Sequence, residues 1–216
     1  MTHLTLAAVV ANPTMGYATR ALGVAAYVAL AFSVAMGTFR ALPRRPLRRH
    51  AWVVDELHQF VASLAVLLVI GHLAALLLDT SRHYTVVNLV FPLTEPGHLA
   101  AGRLGAVGLY AIAVTILSSW LRRHLNYGFW RGLHYASFVA FVAVTLHGLL
   151  AGSDTGEPWM RAVYAASAIV VVLLVGARLV MTVVARAHRD VAPTPRQTPE
   201  SGRGPQARET AVHGSR

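Results

Sequence analysis

Residues 57–78 read LHQFVASLAVLLVIGHLAALLL, and residues 133–152 read LHYASFVAFVAVTLHGLLAG. Each stretch holds about the 20 apolar residues that an α-helix needs to cross a hydrocarbon core. Each also carries two histidines, His58 and His72 in the first, His134 and His147 in the second. An imidazole in hydrocarbon is costly, and it persists where it faces the interior of a bundle and has a partner. A lone membrane histidine is accounted for by an interhelical hydrogen bond, but four at two matched spacings point to a metal, the ligand that suits neutral imidazole. The two pairs are 14 and 13 residues apart, about 20 Å along a helix at 1.5 Å per residue. Histidines that far apart cannot share one ion, so each must meet a ligand from the other helix, which gives two stacked sites. One imidazole from each of two helices is a poor zinc site, since zinc takes four protein ligands or three plus water. It suits an iron whose equatorial positions are filled by porphyrin and which needs only two axial histidines. The expected cofactors are two haems, with His58, His72, His134 and His147 as ligands to haem iron.

The spacings differ in one respect. At 3.6 residues per turn a separation of 14 returns nearly to the same helix face, whereas 13 falls about 140° away. Either the second helix is distorted between His134 and His147, a π-bulge being one means, or the two haems sit at different azimuths.

The surrounding chain reads as a polytopic membrane protein. Of its 216 residues 55% are hydrophobic and 13% charged, values far from those of an ordinary soluble domain. Cysteine is absent, which removes thiol chemistry, iron–sulfur clusters and cysteine zinc sites. The net charge of +10 comes wholly from arginine, without a lysine. These arginines sit at span ends and in the tail, where membrane topology explains them, and they give little reason to expect a nucleic-acid partner. The expected fold is all-α, a bundle of five transmembrane helices: Ala21–Phe39, Leu57–Leu78, Leu104–Leu121, Leu133–Gly152 and Arg161 to about Ala185. Asn126 and Gly128 supply the turn before the fourth span. Thr85–Leu93, apolar but too short to span, is expected to lie in the interface or to cap the outer site. Arg40, Arg44, Arg45, Arg48 and Arg49 crowd one short loop, and fourteen of the 19 arginines fall on the side this loop defines against four on the other. Basic loops stay in the cytoplasm, so the amino terminus is expected outside and the carboxyl terminus inside, in a bacterial cytoplasmic membrane. Residues 1–15 are a short external segment, 16–189 the haem-binding domain, and 190–216 a basic tail whose Pro-, Arg- and Gly-rich composition reads as disordered.

Haem propionates need cations at the membrane surface. Arg20, Arg82, Arg103 and Arg161 are the outer candidates, and Arg40, Arg123 and Arg131 the inner ones, although topology alone accounts for each. Arg131, Arg103 and Arg82 stand first among them. Phe138 and Phe141 lie between the two histidine levels and either fill the gap between haems or serve as bundle packing. Arg178 lies close enough to the inner end of the fifth span to snorkel. Asp154, in the loop after the fourth span, either touches an acceptor or shapes the turn, and the turn is the favoured role. His3, His50, His83, His98, His124, His188 and His213 fall in loops, at span ends or near the termini and are not expected to be axial ligands.

Three motifs carry a family resemblance. Trp130-Arg131-Gly132-Leu133-His134, continued by Thr145-Leu146-His147-Gly148-Leu149-Leu150-Ala151-Gly152-Ser153-Asp154-Thr155, resembles the ferric reductase-like transmembrane domain, particularly its short actinobacterial members. Asp55-Glu56-Leu57-His58 through His72, and the external Phe91-Pro92-Leu93-Thr94, resemble its other ligand helix and an outer loop. The resemblance covers roughly residues 16 to 186, and the 14 and 13 spacings match those of the related NADPH oxidases and ferric reductases. It implies a bundle in which electrons reach a cytoplasmic haem and leave from an outer one. Members of known activity fuse the bundle to an FAD/NAD(P)H domain. No G-x-G-x-x-G motif follows a strand here, so the chain is more similar to stand-alone haem subunits, including that of the periplasmic methionine sulfoxide reductase system.

The expected function is therefore electron transfer across the bilayer, as the haem subunit of an oxidoreductase. Its partners would be a separate donor, a flavoprotein or a quinol, and an extracytoplasmic acceptor. Two other functions compete: a haem scaffold or sensor without net electron flow, and a metal-ion transporter. A transporter needs polar residues between its histidines, and the intervening stretches offer little beyond Ser63, Ser137 and Thr145.

Overall fold

The computed structural model describes residues 13–42, 51–79, 84–91 and 99–191. Every regular element among them is helical. The helices are α1 (Pro13–Arg40), α2 (Ala51–Leu78), the single-turn α3 (Val86–Val90), α4 (Leu99–Trp120), α5 (Tyr127–His134), α6 (Ala136–Ala151) and α7 (Pro158–Val191), with one 3-10 turn at Leu121–His124 after α4. Five helical segments are long and apolar enough to cross a bilayer, the fourth made of α5 and α6 together. The expected spans all appear, each longer than its apolar core. The arginine loop after Pro43, Arg82, and the tail from Ala192 lie outside the described residues. A compact unit ends at Met181, and Thr182 opens a second unit whose described part is the close of α7.

Two antiparallel helix pairs make the frame. Helix α1 packs along α2, α4 packs along α6, and α1 touches α6. Helix α7 joins through one stripe, where Met160, Tyr164 and Val171 pack with Tyr27, Ala31 and Val34 of α1 and with Phe141 of α6. A smaller cluster, Ala29, Val61 and Ala65, closes α1 on α2. Alanine dominates the buried positions of the two pairs, and small residues let helix axes approach closely in a membrane. The large aliphatic residues face outward instead, among them Leu67 at 65% and Leu173 at 66% exposed. A water-soluble monomer does not display apolar faces of that extent, whereas lipid is as apolar as leucine itself.

The connections differ from the sequence expectation in two places. Gly128 is not part of a turn. The 3-10 turn ends at His124, the Asn126 side chain caps α5 by accepting from the Phe129 N–H at 2.8 Å, and Gly128 lies within that helix. The fourth span breaks directly after His134, at Tyr135 (φ −66°, ψ −11°). The break tightens the helix and is no π-bulge. The Tyr135 N–H lies 3.2 Å from the Gly132 carbonyl, and the Phe138 N–H donates to the Tyr135 carbonyl at 3.0 Å. Both are three-residue, 3-10-type bonds, which wind the chain at 3.0 rather than 3.6 residues per turn. Overwinding is the required sense. Thirteen residues fall short of four full turns by about 140°, and a π-bulge, by unwinding, would increase the deficit.

Candidate functional site

The four histidines meet in two pairs at opposite ends of the bundle. The rings of His58 and His134 lie 6.4 Å apart, centroid to centroid, with planes inclined at 75°. His72 and His147 line one cavity between the two helix pairs. All four side chains are half-buried.

What surrounds each ring repeats. The Nδ1 of His72 lies 2.8 Å from the Thr19 carbonyl, that of His58 3.0 Å from the Ser33 carbonyl, and that of His147 2.7 Å from the Ala101 carbonyl. In each case the residue four positions further along the partner helix is a glycine. A Cβ on Gly23 would stand 3.0 Å from the His72 ring, one on Gly37 3.1 Å from His58, and one on Gly105 3.0 Å from His147. The absent side chains make room for the imidazoles beside the backbone. Gly23 and Gly37 are 14 residues apart on α1, and 14 residues beyond Gly105 on α4 comes Ser119 rather than a fourth glycine. The Ser119 hydroxyl lies 3.3 Å from Nδ1 of His134 and donates at 2.7 Å to the Thr115 carbonyl, the one four positions back. The α1–α2 pair and the α4–α5–α6 unit thus hold their histidines on one plan.

The plan favours Nε2 as the free ring nitrogen. A carbonyl oxygen only accepts, so the Nδ1 atoms of His58, His72 and His147 carry the proton. Ser119 has given its one hydrogen to Thr115 and likewise only accepts from His134. In a neutral imidazole the proton on Nδ1 leaves a bare lone pair on Nε2. An N–H held by a backbone carbonyl, with the other nitrogen bare, is the usual state of a metal-ligating histidine.

The pair distance fits an intervening iron. With metal–nitrogen bonds of about 2.0 Å and a ring nitrogen about 1.1 Å from its centroid, two imidazoles on opposite sides of one ion would place their centroids about 6.2 Å apart. Among the described residues no group of three or more His, Cys, Asp or Glu side chains is placed to hold a metal ion. A porphyrin iron needs only two. The hydroxyls between the histidine levels are turned to their own helices: Ser63 donates to the Gln59 carbonyl at 2.9 Å and Thr145 to the Phe141 carbonyl at 2.7 Å.

The arginines are arranged differently from their expected ranking. Arg82 lies outside the described residues. Arg103 is exposed and absent from the walls of the His72–His147 cavity. Arg131 donates to the Tyr135 hydroxyl at 2.8 Å, and Arg178 reaches the same oxygen at 3.3 Å rather than only snorkelling. Arg161 turns to the Thr155 carbonyl. Arg20 lines the His72–His147 cavity and forms an ion pair with Asp154, so Asp154 does more than shape its loop. At the other end Arg122, overlooked in the sequence, lies 4.6 Å over the ring of Trp130, which stacks on His134 at 5.2 Å. Arg40 pairs with Asp55 there. Helix α3 supplies Asn88 and Leu89 to the wall of the His72–His147 cavity, as a cap would. Phe141 stacks on Tyr27 at 6.3 Å in the core between the levels, and Phe138 packs against the same cluster.

The chain matches no family model, no curated protein and no solved structure.

Proposed function

We propose that this bundle conducts electrons across a bacterial cytoplasmic membrane through two haem b groups, from a cytoplasmic donor to an extracytoplasmic acceptor. His58 and His134 would hold the inner haem, His72 and His147 the outer one. The observation that carries the reading is the shared second contact of the four histidines: each Nδ1–H is engaged by a partner helix, which leaves each Nε2 free as a ligand. When bound, each haem supplies an iron that takes up and releases one electron at a time. The polypeptide fixes the ring orientations, keeps Nε2 unprotonated, and excludes water with alanine and aromatic packing between the levels. Anionic haem substituents would meet Arg20 on the outer side, in competition with its partner Asp154, and Arg40, paired with Asp55, and Arg122 on the inner side. The donor in this reading is a flavoprotein or a quinol, and the resemblance to ferric reductase-like haem subunits points the same way. Reduced-minus-oxidised spectra of the purified chain, with a pyridine haemochrome count, test it. Two b-type haems per chain are expected, and a haem-free chain after expression with ample haem supply would exclude the reading.

A further inference from the structure

The four histidine contacts are not equivalent, and the exception is chemical. Three rings donate directly to a backbone carbonyl at 2.7–3.0 Å, His58 having the Ser33 hydroxyl as a further, longer contact at 3.4 Å. The fourth, His134, meets a hydroxyl at 3.3 Å. The carbonyl that His134 would reach by the repeated geometry, that of Thr115, already accepts from Ser119 at 2.7 Å and from Ser118 at 3.0 Å. Ser119 is thus inserted between the imidazole and its carbonyl at the one place where the repeat would put glycine.

We propose that Ser119 is a positioning residue that raises the reduction potential of the haem held by His58 and His134 above the value a glycine there would give. The inference rests on the two-haem reading and deepens it. A ring N–H given to a strong, close acceptor makes the other nitrogen a more basic ligand. A more basic axial ligand stabilises ferric over ferrous iron and lowers the potential. The Ser119 oxygen is a weaker acceptor than a carbonyl, and the contact is longer, so His134 is the least basic of the four ligands. His72 and His147, with the two shortest contacts, give the other haem the more strongly donating pair. The hydrogen bonds on the Nδ1 side of the rings therefore bias electrons toward the His58–His134 level, where a weakly reducing donor can still deliver them.

The test is a redox titration of the full-length protein in detergent, with Ser119→Gly, Ser119→Ala and Ser119→Thr variants. The His72→Leu background isolates the component concerned. With glycine, Nδ1 of His134 gains the Thr115 carbonyl, and the potential falls. The expected change is up to about tenfold in the oxidised-to-reduced ratio at fixed ambient potential, or about 59 mV for one electron. Alanine keeps the Cβ but removes the acceptor, so its potential exceeds that of serine. Threonine retains the hydroxyl and the wild-type value. If glycine destroys haem binding, the alanine–threonine contrast still decides. Glycine and alanine shifting in the same direction, or both staying within about twofold of serine, would overturn the proposal while leaving the two-haem reading intact. Wild-type protein without haem would overturn both.

Discussion

A backbone carbonyl is a poor site for selection to vary, but the space beside it is not. The histidine contacts depend on three glycines that admit the rings, and this makes a prediction about residues that bear no functional group. Gly23→Leu and Gly105→Leu should each remove the haem of the His72–His147 pair, and Gly37→Leu that of His58–His134. Each costs about 1–3 kcal/mol of overpacking concentrated on one ring. The haemochrome count should fall from two to one, and retention of two haems in all three variants would refute the glycine role. The histidines themselves predict a pattern: His58→Leu and His134→Leu lose one spectral component, His72→Leu and His147→Leu the other. If His58→Leu and His72→Leu lost the same component, the stacked arrangement would be wrong. The four histidines were legible in the sequence because an imidazole in an apolar run is costly and therefore conspicuous. Their glycine partners were not, since glycine is common in membrane helices. The signal was nonetheless present, as a 14-residue interval between Gly23 and Gly37 that matches the interval between His58 and His72. What each arginine side chain meets was not legible for a related reason. Sequence gives a side chain's level in the membrane but not its azimuth, and azimuth separates Arg122, over Trp130, from Arg131, against Tyr135.

At the scale of elements the apolar runs located all five spans but not where the helices begin. The fourth span starts with Tyr127–His134, whose polar and aromatic residues hide it from a search for continuous hydrophobicity. The distortion between His134 and His147 was deducible from a spacing of 13, while its kind was not, because only the hydrogen bonds distinguish overwinding from a bulge. The break at Tyr135 yields a sharp expectation. An alanine inserted between Tyr135 and Ala136 creates the nominally better spacing of 14, but it turns α5 by about 100° relative to α6. His134 should leave its place opposite His58, and the haem of that level should be lost while the His72–His147 component stays. If the insertion kept both haems, the break would be adjustable rather than a fixed part of the site. Arg131 and Arg178 converge on the Tyr135 hydroxyl from α5 and α7. Tyr135→Phe removes both contacts and should broaden the spectrum of the His134 haem without abolishing it, an outcome that low-temperature spectra of the two proteins would check.

For the whole molecule, orientation rests on charge. Arg40, Arg122, Arg123 and Arg131 share the end at which His58 and His134 meet, and basic ends face the cytoplasm. Removing the residues after Arg189 should leave the haem content at two, since the ligands, glycines and core all precede it; loss of haem on truncation would reassign the tail. Under the proposed function, this orientation would also set the order of electron transfer. The two histidine levels are about 20 Å apart along α2, within a hydrocarbon core of about 30 Å, so no single iron serves both faces and the levels must be filled in sequence. With the protein in sealed vesicles, carboxyl terminus inward, a reductant trapped inside should reduce both haems of the wild type. His72→Leu should leave the remaining haem reducible from inside but unable to pass electrons to an impermeant acceptor outside. His58→Leu should leave the outer haem unresponsive to the trapped reductant and still oxidisable from without. The opposite result, with His72→Leu abolishing reduction from within, would place the His72–His147 haem on the cytoplasmic face and reverse the direction assigned here.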